Sequence, residues 1–531
     1  MFEKPKLKLK KFYFHPITVF IALTFIVILL SGLLSLLQMQ ATYHTVNIYT
    51  LAKESNLVAV ENLLSFDGIK FLISNATKNF LSFAPLGTLL ISLLGLTIAE
   101  STGFIETLTK RHISKIPKST LTFFILFLAI ISSLINEVGY AILIPLVALV
   151  YFINNRNPIL GIVTAFCGVS FGYGVSIFVG SMEVSLIEYT KYAAMPLDSN
   201  THISLTSNLI FIIAASIILS IVGTIIIEKI IAPKIGKYKR EEEHAKTEQY
   251  KLLNIEEEEQ KNIEAEKNGK RGLRFALIVA IIMLLSTIYS LIPGLPMSGL
   301  LLDMNENTYL GQLFGEQSYF QDGFTFIISL FFMLTGIAYG IGSKTIKNDK
   351  EIIENSSKKF NNIGSIFILM FFAAQFIAVF RKTNIGTVIT AWLVNLLDNM
   401  PISGIPLILI TLLFIALSNM VLTSTASKWM IFSPVVVPMF MNSTISPEFA
   451  QIVLRAGDSM TKGFTPLLAS FVIYIGYLNV YNLHKNKPYT IGEALKMIRP
   501  YFLLISLTWI LLVIGWYLIG LPIGPGVYPT I

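Results

Sequence analysis

Four polar side chains in the C-terminal half stand at spacings that place them on one face of a helix. They are Arg455, Asp458, Ser459 and Lys462, at offsets of zero, three, four and seven residues. Side chains at these offsets are neighbours on a helix surface. A guanidinium in such a row can bind a carboxylate ligand, and a carboxylate can carry a proton or help to bind a cation. The row therefore predicts a site for an anionic ligand and for a coupling ion.

The same charges also have a structural interpretation. A charged side chain at the centre of a membrane helix costs roughly 2.5–3.5 kcal/mol on insertion scales, which makes such residues functional candidates. Asp458 can instead form a self-neutralising ion pair with Arg455 or Lys462, and Lys462 can extend its amine towards the membrane surface. We favour a functional role for Asp458 and Arg455 and a structural role for Lys462.

The residues around this row, 419–466, are rich in polar and helix-breaking types. Such sequence at membrane depth is stable only where it packs within the protein or lines a water-filled cavity. Trp429 can stack on an aromatic ligand or only pack, and the hydroxyl groups can bind ligand or satisfy helix-end backbone groups. Asn419 and Asp458 form a candidate Na+ site. The residues predicted to bind substrate here are Asn419, Ser424, Thr425, Ser427, Trp429, Arg455, Asp458, Thr465 and Pro466.

A second polar cluster lies in the N-terminal half. Ser133, Asn136 and Ser176 are predicted to bind substrate there. Glu137 and Glu183 join Asp458 as predicted carriers of a coupling ion, because a carboxyl group in a low-dielectric site can take up a proton reversibly. The structural alternatives are an interfacial position for Glu183 near an outer loop and a hydrogen-bonded hairpin tip for Glu137.

The composition fits only a polytopic membrane protein. The 531 residues are 54% hydrophobic and 14% charged, whereas soluble domains are about 25% charged. Several apolar runs reach the ~20 residues that span a bilayer. The net charge of +8 is distributed by loop, so it indicates topology rather than nucleic-acid binding.

Several other functional classes lack their sequence signatures. The single cysteine, Cys167, excludes an intrachain disulfide, and the six histidines have no metal-ligand spacing. No phosphate-binding loop in the required context and no nucleophile–base pair is visible. We therefore predict a protein that is not an enzyme, is not driven directly by ATP, and needs no metal or cofactor beyond H+ or Na+ as coupling ion.

Apolar runs and their interruptions predict an all-α membrane protein with about nine transmembrane helices and two re-entrant helical hairpins in an inverted repeat. This is the layout of secondary transporters, which bind substrate near the bilayer midplane at broken helices. A linker with 20 charged residues, ten of each sign, separates the halves. The predicted divisions are an N-terminal half (1–233) with a hairpin (120–154) and a broken helix (158–183), a cytoplasmic linker (234–271), and a C-terminal half (272–531) with a hairpin (405–441) and a broken helix (448–483).

Basic residues predict the orientation in the plasma or inner membrane. Five lysines within the first eleven residues place the N-terminus in the cytoplasm, and the apolar run that follows is too long for a cleavable signal. The loop 293–323 has no Lys or Arg and is predicted to be external, as is the C-terminus. Arg381 and Lys382 are the exception, because the count of crossings puts them near the outer side.

Motifs along most of the chain resemble the aminobenzoyl-glutamate transporter (AbgT) family, within the broader ion-transporter superfamily. They include VENLLSFDGIKF, LLGLTIAESTGF, GIAYGIGSKTIK, STASKW, SPVVVPMFM, RAGDSMT and IGWYLIGLPIGPG. The resemblance implies nine helices and two hairpins in a homodimer. It also implies import of p-aminobenzoyl-glutamate or export of sulfonamide antimetabolites, driven by an ion or proton gradient.

The resemblance extends to the site with several departures. The positions that match the family pattern are Asn419, Trp429, Pro447, Arg455, Asp458 and Pro466. Those that differ are Ala426 for a functional serine, with Ser427 one place on, Glu183 and Glu137 for aspartates, Val184 for a proline, and Ser176 and Lys462 for asparagines.

The resemblance thus implies a secondary active transporter for p-aminobenzoyl-glutamate or a related aromatic or carboxylated small molecule, with efflux of sulfonamide-type drugs included. Arg455 would pair with a substrate carboxylate and Trp429 would contact an aryl group. The alternative is transport of another organic anion, such as a dicarboxylate, on the same scaffold. A channel or membrane sensor is a third hypothesis, disfavoured because paired hairpins suit alternating access.

Overall fold

A computed structural model describes residues 14–47, 50–135, 137–238, 255–315, 317–360, 363–484 and 487–531. The N-terminal lysines, Asn136 and residues 239–254 of the predicted linker lie outside these ranges. The described helices of the N-terminal half are Pro16–Leu36, Phe66–Leu81, Ala84–Ser101, Phe104–Arg111, Lys118–Ile131, Val138–Ile153, Pro158–Phe171, Ser181–Ala194, Leu209–Ile226 and Ala232–Ile235. Those that follow are Ile255–Ser290, Tyr309–Phe314, Tyr319–Ser343, Asp349–Phe360, Gly364–Lys382, Ile385–Asp398, Gly404–Asn419, Thr425–Asn442, Pro447–Thr461, Phe471–Val480 and Ile491–Ile519.

Seven helical segments among the described residues are long and apolar enough to cross a membrane. Their outer surfaces carry large apolar side chains, such as Leu277 and Leu285, that are 60% exposed. A surface of this kind is stable against lipid rather than water. The seven segments are Pro16–Leu36, Phe66–Ser101, Leu209–Ile235, Glu266–Ser290, Tyr319–Ser343, Gly364–Lys382 and Ile491–Ile519.

The prediction of an all-α chain is wrong after the first helix, where an antiparallel pair of strands forms. Gln40–Val46 pairs with Lys53–Ala59, in a register that runs from Gln40 opposite Ala59 to Val46 opposite Lys53. The first strand is rich in β-branched and aromatic residues, which favour the extended backbone. Hydropathy missed the pair because the segment is too polar to span a bilayer.

The strand pair is covered by Ile385–Asp398, a helix that the sequence analysis did not predict. Trp392 Nε1 donates to the carbonyl of Gln40 at 3.1 Å, and Asn395 Nδ2 donates to the carbonyl of Thr42 at 2.8 Å. The helix is short and amphipathic, so its apolar residues do not form the continuous run by which a membrane span is recognised.

The first hairpin consists of Lys118–Ile131 and Val138–Ile153, joined by a tip at 132–137. Its two outer ends lie side by side, since Arg156 Nη1 donates to the carbonyl of Lys118 at 3.3 Å. The Arg156 guanidinium also pairs with Glu228 at 2.6 Å. The second hairpin consists of Gly404–Asn419 and Thr425–Asn442, joined by a tip at 420–424.

Each hairpin is followed by a broken helix. The first consists of Pro158–Phe171 and Ser181–Ala194, with a break at 172–180, and the second of Pro447–Thr461 and Phe471–Val480, with a break at 462–470. Every residue of Pro158–Phe171 and of Pro447–Thr461 is buried. The two broken helices therefore form the centre of the molecule.

Two boundaries differ from those predicted. The first broken helix resumes at Ser181 and runs to Ala194, beyond the predicted end at 183. Its second half contains charged residues, and hydropathy assigns such sequence to a loop. The helix Ile255–Ser290 is continuous across residue 272, where the second half was predicted to begin. Charged residues can continue a helix into water beyond the membrane, so a change in polarity does not mark its end.

Candidate functional site

Asp458 is the centre of a buried polar network in the second broken helix. The Lys428 ammonium contacts Asp458 Oδ1, and both side chains are fully buried. The Thr425 hydroxyl donates to Asp458 Oδ2. Lys428 and Thr425 begin the second arm of the second hairpin, so this carboxylate holds the hairpin tip to the broken helix.

Asn419 ends the first arm of the same hairpin and completes the network. Its Nδ2 donates to the carbonyl of Asp458 at 2.8 Å and to Thr461 Oγ1 at 3.2 Å. Its Oδ1 accepts from Lys428 Nζ. The ammonium therefore contacts one oxygen of Asn419 and one of Asp458, at the place where the sequence predicted a Na+ ion.

Arg455 pairs with Glu183 rather than with Asp458. The distance from Arg455 Nη1 to Glu183 Oε1 is 2.6 Å, and Nη1 also donates to the carbonyl of Gly174 at 3.2 Å. Arg455 is 1% exposed, and its Nε and Nη2 have no hydrogen-bond partner among the described residues. Glu183 lies in the first turn of its half-helix, where its Oε2 accepts from the Gly180 amide at 2.6 Å.

The predicted row of four residues therefore faces two directions. Arg455 and Ser459 face the first broken helix, where Ser459 Oγ accepts from the Gly174 amide at 2.8 Å. Asp458 faces the second hairpin. At 100° per residue, the side chain three positions after Arg455 lies about 60° to one side of it around the helix axis, and the side chain four positions after it lies about 40° to the other side. The row therefore contacts two different neighbouring elements.

Trp429 is a packing residue in this conformation. It is fully buried, and its Nε1 donates to Thr190 Oγ1 at 2.8 Å. The same Thr190 oxygen accepts from Gln451 Nε2 at 2.7 Å, and Gln451 Oε1 accepts from Asn208 at 3.0 Å. This arrangement corresponds to the packing alternative rather than to stacking on a ligand.

Most of the predicted hydroxyl ligands satisfy polar groups of the tips and breaks. The hydroxyl groups of Ser424 and Ser427 form a hydrogen bond, with 2.9 Å between their Oγ atoms, at the exposed second tip. Three other hydroxyls donate to backbone carbonyls, Ser133 to Val175 at 2.9 Å, Ser176 to Phe178 at 2.5 Å and Thr465 to Met420 at 2.9 Å. Pro466 lies in the second break, and Asn136 is outside the described residues.

A cavity of about 1740 Å³ leads to both hairpin tips. One end is bounded by Thr45 and Val46, at the end of the first strand, and by the loops around residues 202–206 and 303–311. The other end reaches Glu137 of the first tip and residues 423–426 of the second. Lys462, for which the sequence favoured a structural role, lines the cavity. The predicted site residues that line it are Ser133, Glu137, Ser424 and Thr425, whereas those not among its described lining residues are Ser176, Glu183, Asn419, Ser427, Trp429, Arg455, Asp458, Thr465 and Pro466.

The sequence analysis missed Lys428, Thr190 and Gln451. Lys428 had a signal, because a lysine within an apolar hairpin arm requires a buried partner or a wet cavity. Thr190 and Gln451 had no such signal, because neither side chain carries a charge that burial would make costly. Their roles depend on contacts between residues more than 200 positions apart.

A known protein family matches this chain over almost its whole length. A model of the AbgT putative transporter family matches residues 10–531. The chain belongs to the AbgT family. It is also 29% identical over 517 residues to the p-aminobenzoyl-glutamate transport protein of Escherichia coli (strain K12), which covers 97% of this chain and 94% of that protein. This AbgT protein is therefore a multi-pass inner-membrane transporter that acts on small molecules.

Two solved structures are similar to this AbgT protein. The YdaH transporter of Alcanivorax borkumensis is 28% identical, with a TM-score of 0.47, and the match covers 96% of this chain and 100% of that one. MtrF of Neisseria gonorrhoeae, described with a class of antimetabolite efflux pumps, is 29% identical, with a TM-score of 0.47 and coverage of 97% and 98%.

Proposed function

We propose that this protein is a secondary active transporter of p-aminobenzoyl-glutamate or a related carboxylated aromatic molecule. The observation that carries the proposal is the cavity of about 1740 Å³ that ends on the tips of both hairpins. A cavity lined by residues of both hairpin tips and by Tyr173 and Lys462 of the two breaks fits a substrate path. The name of the relative from Escherichia coli supplies the substrate class.

The architecture proposed for this transport is nine crossings and two re-entrant hairpins in an inverted repeat. The seven long spans, together with one crossing for each broken helix, would give the nine crossings. The contact between Arg156 and the start of the first hairpin supports a hairpin that returns to the side from which it entered. Alternating access would then move one hairpin and its broken helix against the other pair. The homodimer stays a prediction, which light scattering of the solubilised protein checks.

We propose H+ rather than Na+ as the coupling ion. The Lys428 ammonium already lies between the oxygens of Asn419 and Asp458 that would bind a Na+ ion. A proton that neutralises Asp458 removes the charge that holds Lys428 and Thr425. The tip of the second hairpin would then separate from the broken helix. Protonation of Glu183 would likewise remove the charge that holds Arg455, which donates a hydrogen bond to Glu183.

Uptake into proteoliposomes tests this function. Labelled p-aminobenzoyl-glutamate should accumulate under an imposed proton gradient, in the direction that the gradient dictates, and a sodium gradient alone should have no effect. Asp458→Asn, which cannot become charged, should abolish the response to the proton gradient. Flux that is unchanged by either gradient and by Asp458→Asn would contradict secondary transport. Single-channel currents would indicate a channel instead.

A further inference from the structure

Lys462 lies in one of the four elements that meet at the deep end of the cavity and contacts the other three. It begins the break of the second broken helix, and its ammonium lies 3.5 Å from the centroid of the Tyr173 ring in the first break. The same ammonium is 3.9 Å from Glu137 Oε1 at the first tip and 3.4 Å from the carbonyl of Thr423 at the second tip.

These contacts hold Lys462 loosely compared with the other buried cations. An ammonium has three donors, and a charge-assisted hydrogen bond to a carboxylate is about 2.7–2.9 Å long. The distance of 3.9 Å to Glu137 is longer than such a bond. The other oxygen of Glu137 is occupied, since Oε2 accepts from Ser470 at 2.6 Å. A ligand carboxylate that approached Lys462 directly would therefore be a better acceptor than Glu137.

Lys462 is 1% exposed, and it is one of the residues that line the cavity. Its side chain lines the cavity, whereas Lys428 and Arg455 are not among the described lining residues. The other described lysine and arginine of the lining, Lys191 and Arg381, end helices away from the tips. The deep end of the cavity thus presents one described lysine, surrounded by hydroxyl groups and an aromatic ring.

We propose that Lys462 determines specificity by binding a carboxylate of the transported molecule, and that Glu137 is the internal acceptor which that carboxylate displaces. The assignment rests on the proposed function only in taking the cargo to be a carboxylate. An amine on a flexible stem suits a single carboxylate oxygen as a point charge. Ser133 and Thr425 also line the cavity.

Displacement of Glu137 would also link binding to movement. The Lys462–Glu137 contact joins the first hairpin to the second broken helix, and so it joins the two halves of the repeat. A ligand carboxylate on Lys462 would remove that contact. The hydrogen bond from Ser470 to Glu137 and the packing of Val138–Ile153 on Phe471–Val480 would remain, so binding would weaken the link between the halves at the ligand and favour their movement around it.

Equilibrium binding to the purified full chain tests the assignment with three ligands. p-Aminobenzoyl-glutamate has an aryl group and carboxylates, glutarate has carboxylates only, and p-aminobenzamide has the aryl group only. Lys462→Met should weaken binding of the two carboxylates by about tenfold or more, the value of a hydrogen bond to a charged group. It should leave p-aminobenzamide unchanged, and Lys462→Arg should retain carboxylate binding. Lys191→Met is the control for a cation on the cavity wall.

A second variant separates ligand binding from a purely structural role. Glu137→Gln removes the competing carboxylate, so it should strengthen binding of the carboxylates several-fold. If Lys462 only holds four elements together, Glu137→Gln should weaken binding or leave it unchanged, which would overturn the assignment. Equal loss of all three ligands in Lys462→Met, or wild-type protein that binds no carboxylate, would also overturn it. Binding of glutarate but not p-aminobenzoyl-glutamate, lost in Lys462→Met, would support Lys462 and contradict only the aromatic cargo.

Discussion

Single residues in this protein act through charge pairs that are cut off from water. Lys428 with Asp458 and Arg455 with Glu183 are both buried, and each pair joins two different elements. Desolvation makes such a pair a poor source of net stability, but removing one partner leaves an uncompensated charge. The pairs therefore hold the elements in place while both charges persist, and they release them when one charge is lost.

Removing one charge of the Lys428–Asp458 pair should destabilise the protein more than removing both. Lys428→Met and Asp458→Asn should each lower the free energy of unfolding by about 3–5 kcal/mol, and the double variant should recover most of that loss. Thermal unfolding in detergent measures all three variants. The control is Lys350→Met, which removes an exposed pair with Glu354 at 3.8 Å and should cost about 0–1 kcal/mol. A double variant as unstable as the sum of the singles would contradict the pairing.

The sequence predicted which residues are unusual better than it predicted their partners. Asp458, Arg455 and Glu183 were candidates because charges are expensive in an apolar chain. Their pairing depends on how each half-helix is rotated about its own axis. Successive residues of a helix point about 100° apart around that axis, so residues close in the chain can face different elements. Lys428 is 30 residues from Asp458, so no spacing rule on one helix could connect them.

At the scale of elements, the two broken helices touch where one of them has no side chain. A Cβ on Gly174 would lie 2.7 Å from Ser459 Oγ and 2.8 Å from the carbonyl of Arg455. The amide of Gly174 also bonds Ser459. The backbone of the first break therefore packs directly on the second broken helix, which fixes the distance between the two ion pairs.

Gly174→Ala should push the broken helices apart. The new methyl group meets backbone that cannot move aside, so we expect a loss of about 1–3 kcal/mol in the free energy of unfolding and a larger loss of transport. Gly87→Ala is the matched control, because nothing lies within 4 Å of its added Cβ, and alanine within a helix is favoured over glycine. Unfolding curves and proteoliposome uptake of both variants provide the measurements. Similar behaviour of the two variants would show that the close approach is unimportant.

Interruptions in apolar runs are the basis on which the sequence predicts hairpins and breaks, because glycine, serine and charge are stable at membrane depth only inside the protein or beside a water-filled cavity. The same reasoning failed for Ser181–Ala194 and Ile385–Asp398, which are helices in the structure. Both are amphipathic, and tertiary contacts rather than hydropathy stabilise them. The strand pair was missed for a related reason, since two short strands gain their stability from the helix that packs on them.

At the scale of the whole molecule, one side is basic and the other carries the cavity mouth. Lys229 and Lys234 lie near the end of the helical segment Leu209–Ile235 and Lys237 follows it, beside the base of the first hairpin, where Asn157 Nδ2 donates to the carbonyl of Gly236. The loop 202–206, just before the start of that segment, lines the cavity together with the end of the first strand and the loop around 303–311. Because positive charge collects in cytoplasmic loops, this distribution favours a cavity that opens outward.

Cysteine labelling in cells tests that orientation. Cys167 is fully buried, so Cys167→Ser gives a background in which one cysteine at a time can be added. Ser424→Cys, on the exposed second tip within the cavity, should react with a membrane-impermeant maleimide in intact cells. Lys237→Cys, on the basic side, should react only after permeabilisation, because the bilayer separates it from the reagent. The reverse pattern would mean a cavity that opens inward, and labelling of both without permeabilisation would mean a continuous pore rather than alternating access.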